Sequence, residues 1–341
     1  MRHLFPIKLL LFVLTSLGVT HSLCQGEPYQ SQNSQTQNMQ EQSVEVPLRG
    51  GERFQLYANH VQLTWVVTSG PTLKIRGLRS RQGVRRGDLL VFDLKETSSK
   101  EDFAGYLKKK GPPLKIEIQG PSMPIELSLH EGQIVLNKTS HEISVQMIQG
   151  SISIAQAKGP LLLRLHKGQI SVREVPGKTG IELYSGQAVL KELGDSTISI
   201  FSGNLSIQDL QGTLALNTQS VVSKVAGMSG TLTLDSQKGS LSLTQFQGRL
   251  EGQTVEGLVS AQILPETDVQ LKSKSGRFNF QVPPSSGAYL NLWTAEGEII
   301  IPKDLSVARS TTEKSVRGRL RGESQKITIS AKTSEGVVVV K

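Results

Sequence analysis

Between residue 130 and the C-terminus, short runs of alternating apolar and polar residues recur, each run opened by a glycine. Ile134 and Leu136 follow Gly132, Ile152 and Ile154 follow Gly150, and Ile170 and Val172 follow Gly168. Ala188 and Leu190 follow Gly186, and Leu205 and Ile207 follow Gly203. A second set lies between these runs: Ile143 and Val145, Leu161 and Leu163, Ile181 and Leu183, Ile198 and Ile200. Alternation with a period of two predicts strands with one buried face. The intervening positions are small or polar, as at Ser153, Ser171, Ser144 and Glu182, so the opposite face meets water. No sustained helical stripe interrupts the pattern.

The spacing is more telling than the alternation. The glycines from Gly132 to Gly203 stand eighteen residues apart, with one step of seventeen, and the series resumes at Gly239, Gly257, Gly276 and Gly297. A second series, Gly194, Gly212, Gly230 and Gly248, keeps the same period half a step out of phase. Two interleaved series mean two turns per repeat, and a fixed period is the mark of a stacked-repeat architecture. The expectation is an all-β, single-stranded parallel β-solenoid with coils of about eighteen residues and two strands per coil. Solvated outer faces exclude helix-covered parallel sheets, and an antiparallel sandwich does not readily account for the constant step.

Residues 43–129 alternate with a weaker period, so the solenoid is expected to span 43–341. Two polar insertions, 95–113 and 302–325, are expected as surface loops or caps; the first ends in the basic run Lys108, Lys109, Lys110. Ahead of the solenoid, Arg2 and Lys8 flank an apolar stretch, Leu9 to Val19, that is too short to span a bilayer. Residues 1–24 therefore predict a signal peptide, and the Gln/Ser/Asn-rich stretch 25–42 a tether. Cys24 is the only cysteine. It cannot form an intramolecular disulfide. Two readings stand for it: cleavage immediately after it, or lipidation on it as the membrane tether of a bacterial lipoprotein. Leu23 occupies the place where lipidation expects a small residue.

The chain has 341 residues, a formal net charge of +9 and 20% charged residues, which is globular and biased toward acidic partners. The densest basic stretch, Arg76, Arg79, Arg81, Arg85 and Arg86, is the candidate anionic-ligand patch. It competes with the reading of a solvated positive loop. No module with stacking aromatics for nucleic acid is present, so no nucleic-acid partner is expected. The remaining chemistry is sparse. Glu174, Glu192 and Asp209 fall on the repeat and would form a column of carboxylates, continued by Gln156 and Gln245. Such a column could hold a cation or act as an acid pair, but Arg173 and Lys191 stand beside two of its members, which favours a solvated ladder. The histidines lack metal-ligand spacing, and no cofactor is expected. Trp293 should point outward from its strand, to stack on a sugar ring or pack under a neighbouring loop.

The repeated units, such as Ser275-Gly276-Arg277-Phe278-Asn279-Phe280 and Ala295-Glu296-Gly297-Glu298-Ile299-Ile300-Ile301, resemble a bacterial family of exported β-strand-repeat proteins. Val316-Arg317-Gly318-Arg319-Leu320 and Thr333-Ser334-Glu335-Gly336-Val337-Val338-Val339 carry the same likeness, which covers roughly residues 130–341. Members of that family carry the label adhesin while their function is unknown. The resemblance implies an envelope or surface location and no known catalytic residues. The expected function is a non-enzymatic, rigid binding scaffold in the periplasm, outer membrane or cell surface. Its partner would be an envelope glycan, an anionic lipid or another envelope protein. The alternatives are a polysaccharide-active β-helix enzyme using Glu174, Glu192 and Asp209, or a structural or regulatory partner in an envelope-stress system.

Overall fold

The computed structural model describes residues 43–78, 83–94, 113–283, 286–302, 306–310, 314–320 and 327–341. Among them every regular element is a strand, and all join one long open sheet, a β-solenoid-like fold. The N-terminal elements are β1 (Ser43–Pro47), β2 (Arg53–Val67), β3 (Thr72–Arg76), β4 (Gly83–Arg86), β5 (Leu89–Leu94) and β6 (Leu114–Gly120). The middle holds β7 (Ile125–Asn137), β8 (Ile143–Ala155), β9 (Leu161–Val175), β10 (Thr179–Leu193) and the continuous β11 (Ser196–Thr254). Then come β12 (Leu258–Ile263), β13 (Asp268–Ser273), β14 (Arg277–Gln281), β15 (Ala288–Thr294) and β16 (Glu298–Ile300). The chain closes with β17 (Ser306–Ser310), β18 (Lys314–Arg319), β19 (Ile327–Thr333) and β20 (Val337–Val340).

In the middle of the chain the pairing is parallel and follows the sequence repeat. Ile134 lies opposite Ile152, Ile152 opposite Ile170, Ile170 opposite Ala188, and Ala188 opposite Leu205. The alternating residues point inward, and the buried ones form one apolar cluster that runs from β1 to β20. Each of the strands β7 to β10 bends once. At the bend one residue drops out of the ladder: in β9 and β10, Leu165 pairs with Leu183 and Lys167 with Ser185, while His166 and Tyr184 are skipped. Just beyond stands the corner glycine, with φ of 141° at Gly150 and 144° at Gly168 and Gly186. That backbone region is open essentially to glycine alone. A side chain there would also strike the carbonyl of the coil below, which explains why the sequence repeats glycine at this step.

Both ends depart from simple stacking, in the same way. β2 pairs on one side with β7 and on the other with β5 and β6, so a segment later in sequence lies outside an earlier one. At the opposite end β19 lies between β13 and β15, and β20 between β14 and β16. The last coil in sequence is thus inserted between two coils that precede it. Antiparallel strands then cover the outermost rungs. β4 covers β5, β3 covers β6 and is itself paired with β1, and β18 covers β15 with β17 beyond it. Such covers shield strand edges that would otherwise recruit another chain. Within the polar insertion 302–325 the chain therefore contributes two strands, β17 and β18. Of the insertion 95–113, residues 95–112 lie outside the described residues, as do the leader and tether, residues 1–42.

Candidate binding rows on the outer surface

Stacking turns equivalent residues into rows, and two rows carry most of the outward chemistry. The first lies where each coil turns back after its second strand segment. Lys138, Gln156, Glu174, Glu192, Asp209 and Gln245 all adopt left-handed backbone there, with φ between 55° and 58°. Gly227 holds the same place one coil past Asp209, with φ of 66°. The turn is kept in the ladder by the backbone: the Lys138 N–H donates to the Ala155 carbonyl at 3.0 Å and that of Gln156 to Arg173 at 2.9 Å. A left-handed residue with a side chain costs about 1–2 kcal/mol, which glycine avoids. The row nevertheless carries polar side chains at most of its positions.

This row contains the carboxylates that the repeat places in one column. Within it, Gln156 Nε2 donates to Glu174 Oε2 at 2.9 Å. The Arg173 guanidinium stands 3.2 Å from the Glu174 carboxylate, and Lys191 Nζ stands 3.2 Å from that of Glu192. All four charged side chains are more than a third exposed, so each pair contributes at most about 1 kcal/mol. Glu174 and Glu192 are turn residues, each matched by the cation that precedes it, whereas Asp209 follows Gln208. Among the described residues no group of three or more His, Cys, Asp or Glu is placed to hold a metal ion.

The second row is formed by the residues skipped at the bend: His130, Ile148, His166, Tyr184 and Phe201. The His166 ring lies on Tyr184 with centroids 4.5 Å apart, and Tyr184 on Phe201 at 4.6 Å, each pair within 8° of parallel. These spacings match the rise between coils. Tyr184 and Phe201 nevertheless remain 45% and 43% exposed, and Ile148 is 47% exposed. Sequence analysis passes over this row because its members differ in chemistry. The signal is positional: each stands two residues before a corner glycine.

The basic residues proposed as an anion patch are divided by the fold. Arg76 ends β3, which packs on β6, and its guanidinium lies 3.9 Å from the Glu117 carboxylate. Arg85 and Arg86 lie on β4, which packs on β5. Arg85 is turned inward: its Nε stands 2.7 Å from the buried Glu52 carboxylate, and its guanidinium donates to the Pro47 carbonyl at 2.7 Å. The backbone N–H of Arg49 donates to the same carboxylate at 2.7 Å. Burial forces this pairing, because a lone carboxylate removed from water is costly. Arg79, Arg81 and Cys24 lie outside the described residues.

Trp293 is half-buried on β15, and Lys332 Nζ sits over its ring, 4.6 Å from the centroid. That face of the indole is therefore occupied by the chain itself. At a turn near the N-terminal end, Ser122 Oγ lies 3.1 Å from His141 Nδ1 and accepts from the Ser140 N–H and hydroxyl. The group is exposed and no acid orients the ring, so it reads as a hydrogen-bonded turn. No helix among the described residues is long and apolar enough to cross a membrane.

No protein-family model matches the chain, and no curated protein does. Among solved structures, it is similar to a candidate cell adhesion protein from Clostridium sporogenes, at 9% identity. The match covers 88% of this chain and 99% of that one, with a TM-score of 0.21. At that score the likeness carries no argument about function.

Proposed function

We propose that the chain is an exported, non-enzymatic scaffold of the bacterial cell envelope or surface. In this reading it is a single-stranded β-solenoid of about eighteen-residue coils with two strands per coil, and it binds its partner through side-chain rows on its outer faces. Secretion is assigned to residues 1–24, and a lipid on Cys24 would tether the rod through the Gln/Ser/Asn-rich stretch 25–42. The partner is an envelope glycan, an anionic lipid surface or another envelope protein.

The observation that carries this reading is the stack of Tyr184 on Phe201. Scattered exposed apolar residues are ordinary, whereas a contiguous exposed row marks an interaction surface. Here the rings are held at the coil spacing by the ladder on both sides of the bend, so the row is rigid before any partner arrives. Preorganised aromatic surface binds at low entropic cost. The non-enzymatic part of the reading is supported by Glu174 and Glu192, which stand exposed beside their own cations.

The test is binding of the purified chain from residue 25 onward to immobilised envelope polysaccharide, to neutral oligosaccharides and to anionic lipid vesicles. The paired substitution Tyr184→Ala and Phe201→Ala should reduce retention on whichever surface is bound while leaving the circular dichroism unchanged. Retention on none of the surfaces, or turnover of a polysaccharide that Glu192→Gln abolishes, would overturn the proposal. Mass spectrometry of the mature N-terminus decides whether Cys24 carries lipid.

A further inference from the structure

We infer that a notch one coil wide, centred on Gly227, binds a single ring of a neutral sugar chain. The inference rests on the reading of the rod as a glycan-binding scaffold and names the place and the class of ligand.

The notch arises from the repeat. Two polar rows run side by side here: Asp209, Gly227 and Gln245 in the left-handed turn, and Gln211, Ser229 and Gln247 two residues further on. In both rows the middle coil carries the smallest side chain, no side chain at all in Gly227 and a hydroxymethyl in Ser229. The coils on either side carry the long ones. These residues line a depression of about 340 Å³ with Met228 as its floor. Its two walls are two coils apart, about 10 Å between backbones, which suits a ring but not a folded peptide. Leu264 forms part of one end. It follows Ile263, the partner of Phe246 in the next coil, and its N–H bonds back to the Phe246 carbonyl at 2.8 Å.

The charge pattern selects the ligand. Along the same row, Glu174 and Glu192 are each preceded by a cation that lies against them. Asp209 is preceded by Gln208, Gly227 by Ala226 and Gln245 by Thr244, so the cations end where the notch begins. Among the described residues no cation pairs with Asp209. A carboxylate and three primary amides offer acceptors and donors in the mixture that vicinal hydroxyls require. Leu264 offers an apolar patch for the hydrogen-lined face of a ring. An anionic ligand is repelled by Asp209. One carboxylate among amides is too few charged ligands for a calcium ion.

The row also supplies the test. Its other positions show that this backbone accepts a side chain, so Gly227→Gln extends the row through the notch and fills it. A Cβ at Gly227 would crowd one side-chain atom, Asp209 Oδ1 at 2.8 Å, and would meet the Asp209 backbone at ordinary contact distance. Calorimetric titration of the chain from residue 25 with maltohexaose, cellohexaose and chitohexaose, and with a polygalacturonate oligomer as the acidic arm, reads the outcome. At least one neutral hexamer should bind. Gly227→Gln and Asp209→Ala should each weaken it by about tenfold or more, as expected for loss of a charge-assisted hydrogen bond. Binding that survives Gly227→Gln puts the sugar elsewhere on the rod and overturns the notch while sparing the scaffold reading. Preference for the acidic oligomer, or no neutral hexamer bound at all, overturns the notch too. Loss of binding in the aromatic pair alone transfers the site to the bend row.

Discussion

Gly168 lies so closely over Gly150 that a Cβ on Gly168 would stand 1.8 Å from the Gly150 carbonyl oxygen. The same distance recurs for Gly186 over Gly168, so the bend of these coils rests on the absence of a side chain. Two costs combine for Gly168→Ala: a backbone angle of 144° that alanine tolerates poorly, and a collision with the ladder itself. The variant should lose about 2–5 kcal/mol of stability, read as a lower urea midpoint. Gly50→Ala is the control. Nothing lies within 4 Å of its added methyl, and its midpoint should move by no more than about 0.5 kcal/mol equivalent.

The left-handed turn row makes a different prediction. At Glu192, φ is 55°, a conformation that asparagine adopts readily and a β-branched residue resists. Glu192→Asn should leave thermal stability nearly unchanged. Glu192→Val should lower it by about 1–2 kcal/mol. Equal melting temperatures for the two variants would show that the turn relaxes and that the backbone does not select these residues.

Among the described residues, Glu52 and Arg85 form the one ion pair in which both partners are largely removed from solvent, with the carboxylate side chain 2% and the guanidinium side chain 16% exposed. Removing either charge strands the other. Glu52→Ala should destabilise the N-terminal end by about 3–5 kcal/mol, and Arg85→Met by a similar amount. The double variant should recover part of the loss, which a double-mutant cycle of melting temperatures measures. If Arg85→Met instead leaves stability intact and weakens binding to anionic vesicles, the residue belongs to a ligand patch after all.

Tyr57 sets the alkaline limit. Burial raises its pKa above the ordinary 10.0, the carboxylates of Glu126 and Asp93 raise it further, and Arg86 opposes them. The folded state therefore holds the phenolic proton more tightly than the unfolded chain does. That stabilisation is complete below pH 10.0 and is lost as pH rises through the folded value. Melting temperature should fall as pH rises above about 10, and Tyr57→Phe should flatten the fall. A slope identical in both proteins would assign it to other groups.

The period carried the central pairing because each coil there repeats the one before, so Ile134, Ile152 and Ile170 declare their neighbours by spacing alone. The antiparallel β1, β3 and β4 and the insertion of β19 and β20 could not be read in that way. They depend on which edges remain open after the central coils have stacked, a tertiary fact with no local period. The acid column was visible, but its cause was not: Glu174 and Glu192 recur because a turn recurs, and the left-handed angle leaves no mark on residue type when the side chain is long and polar. Arg85 shows the opposite failure. In sequence it is one of five neighbouring arginines, and only the burial of Glu52 separates it from them.

The place of β19 and β20 bears on when this molecule can become itself. Ile327–Thr333 and Val337–Val340 fill a slot whose walls, β13 with β14 and β15 with β16, both precede them in the chain. Until those residues arrive the two walls have nothing to hold them together. Folding of that region must therefore wait for β19 and β20, and a product cut short before Ile327 would leave the edges of both walls open to pairing with another chain.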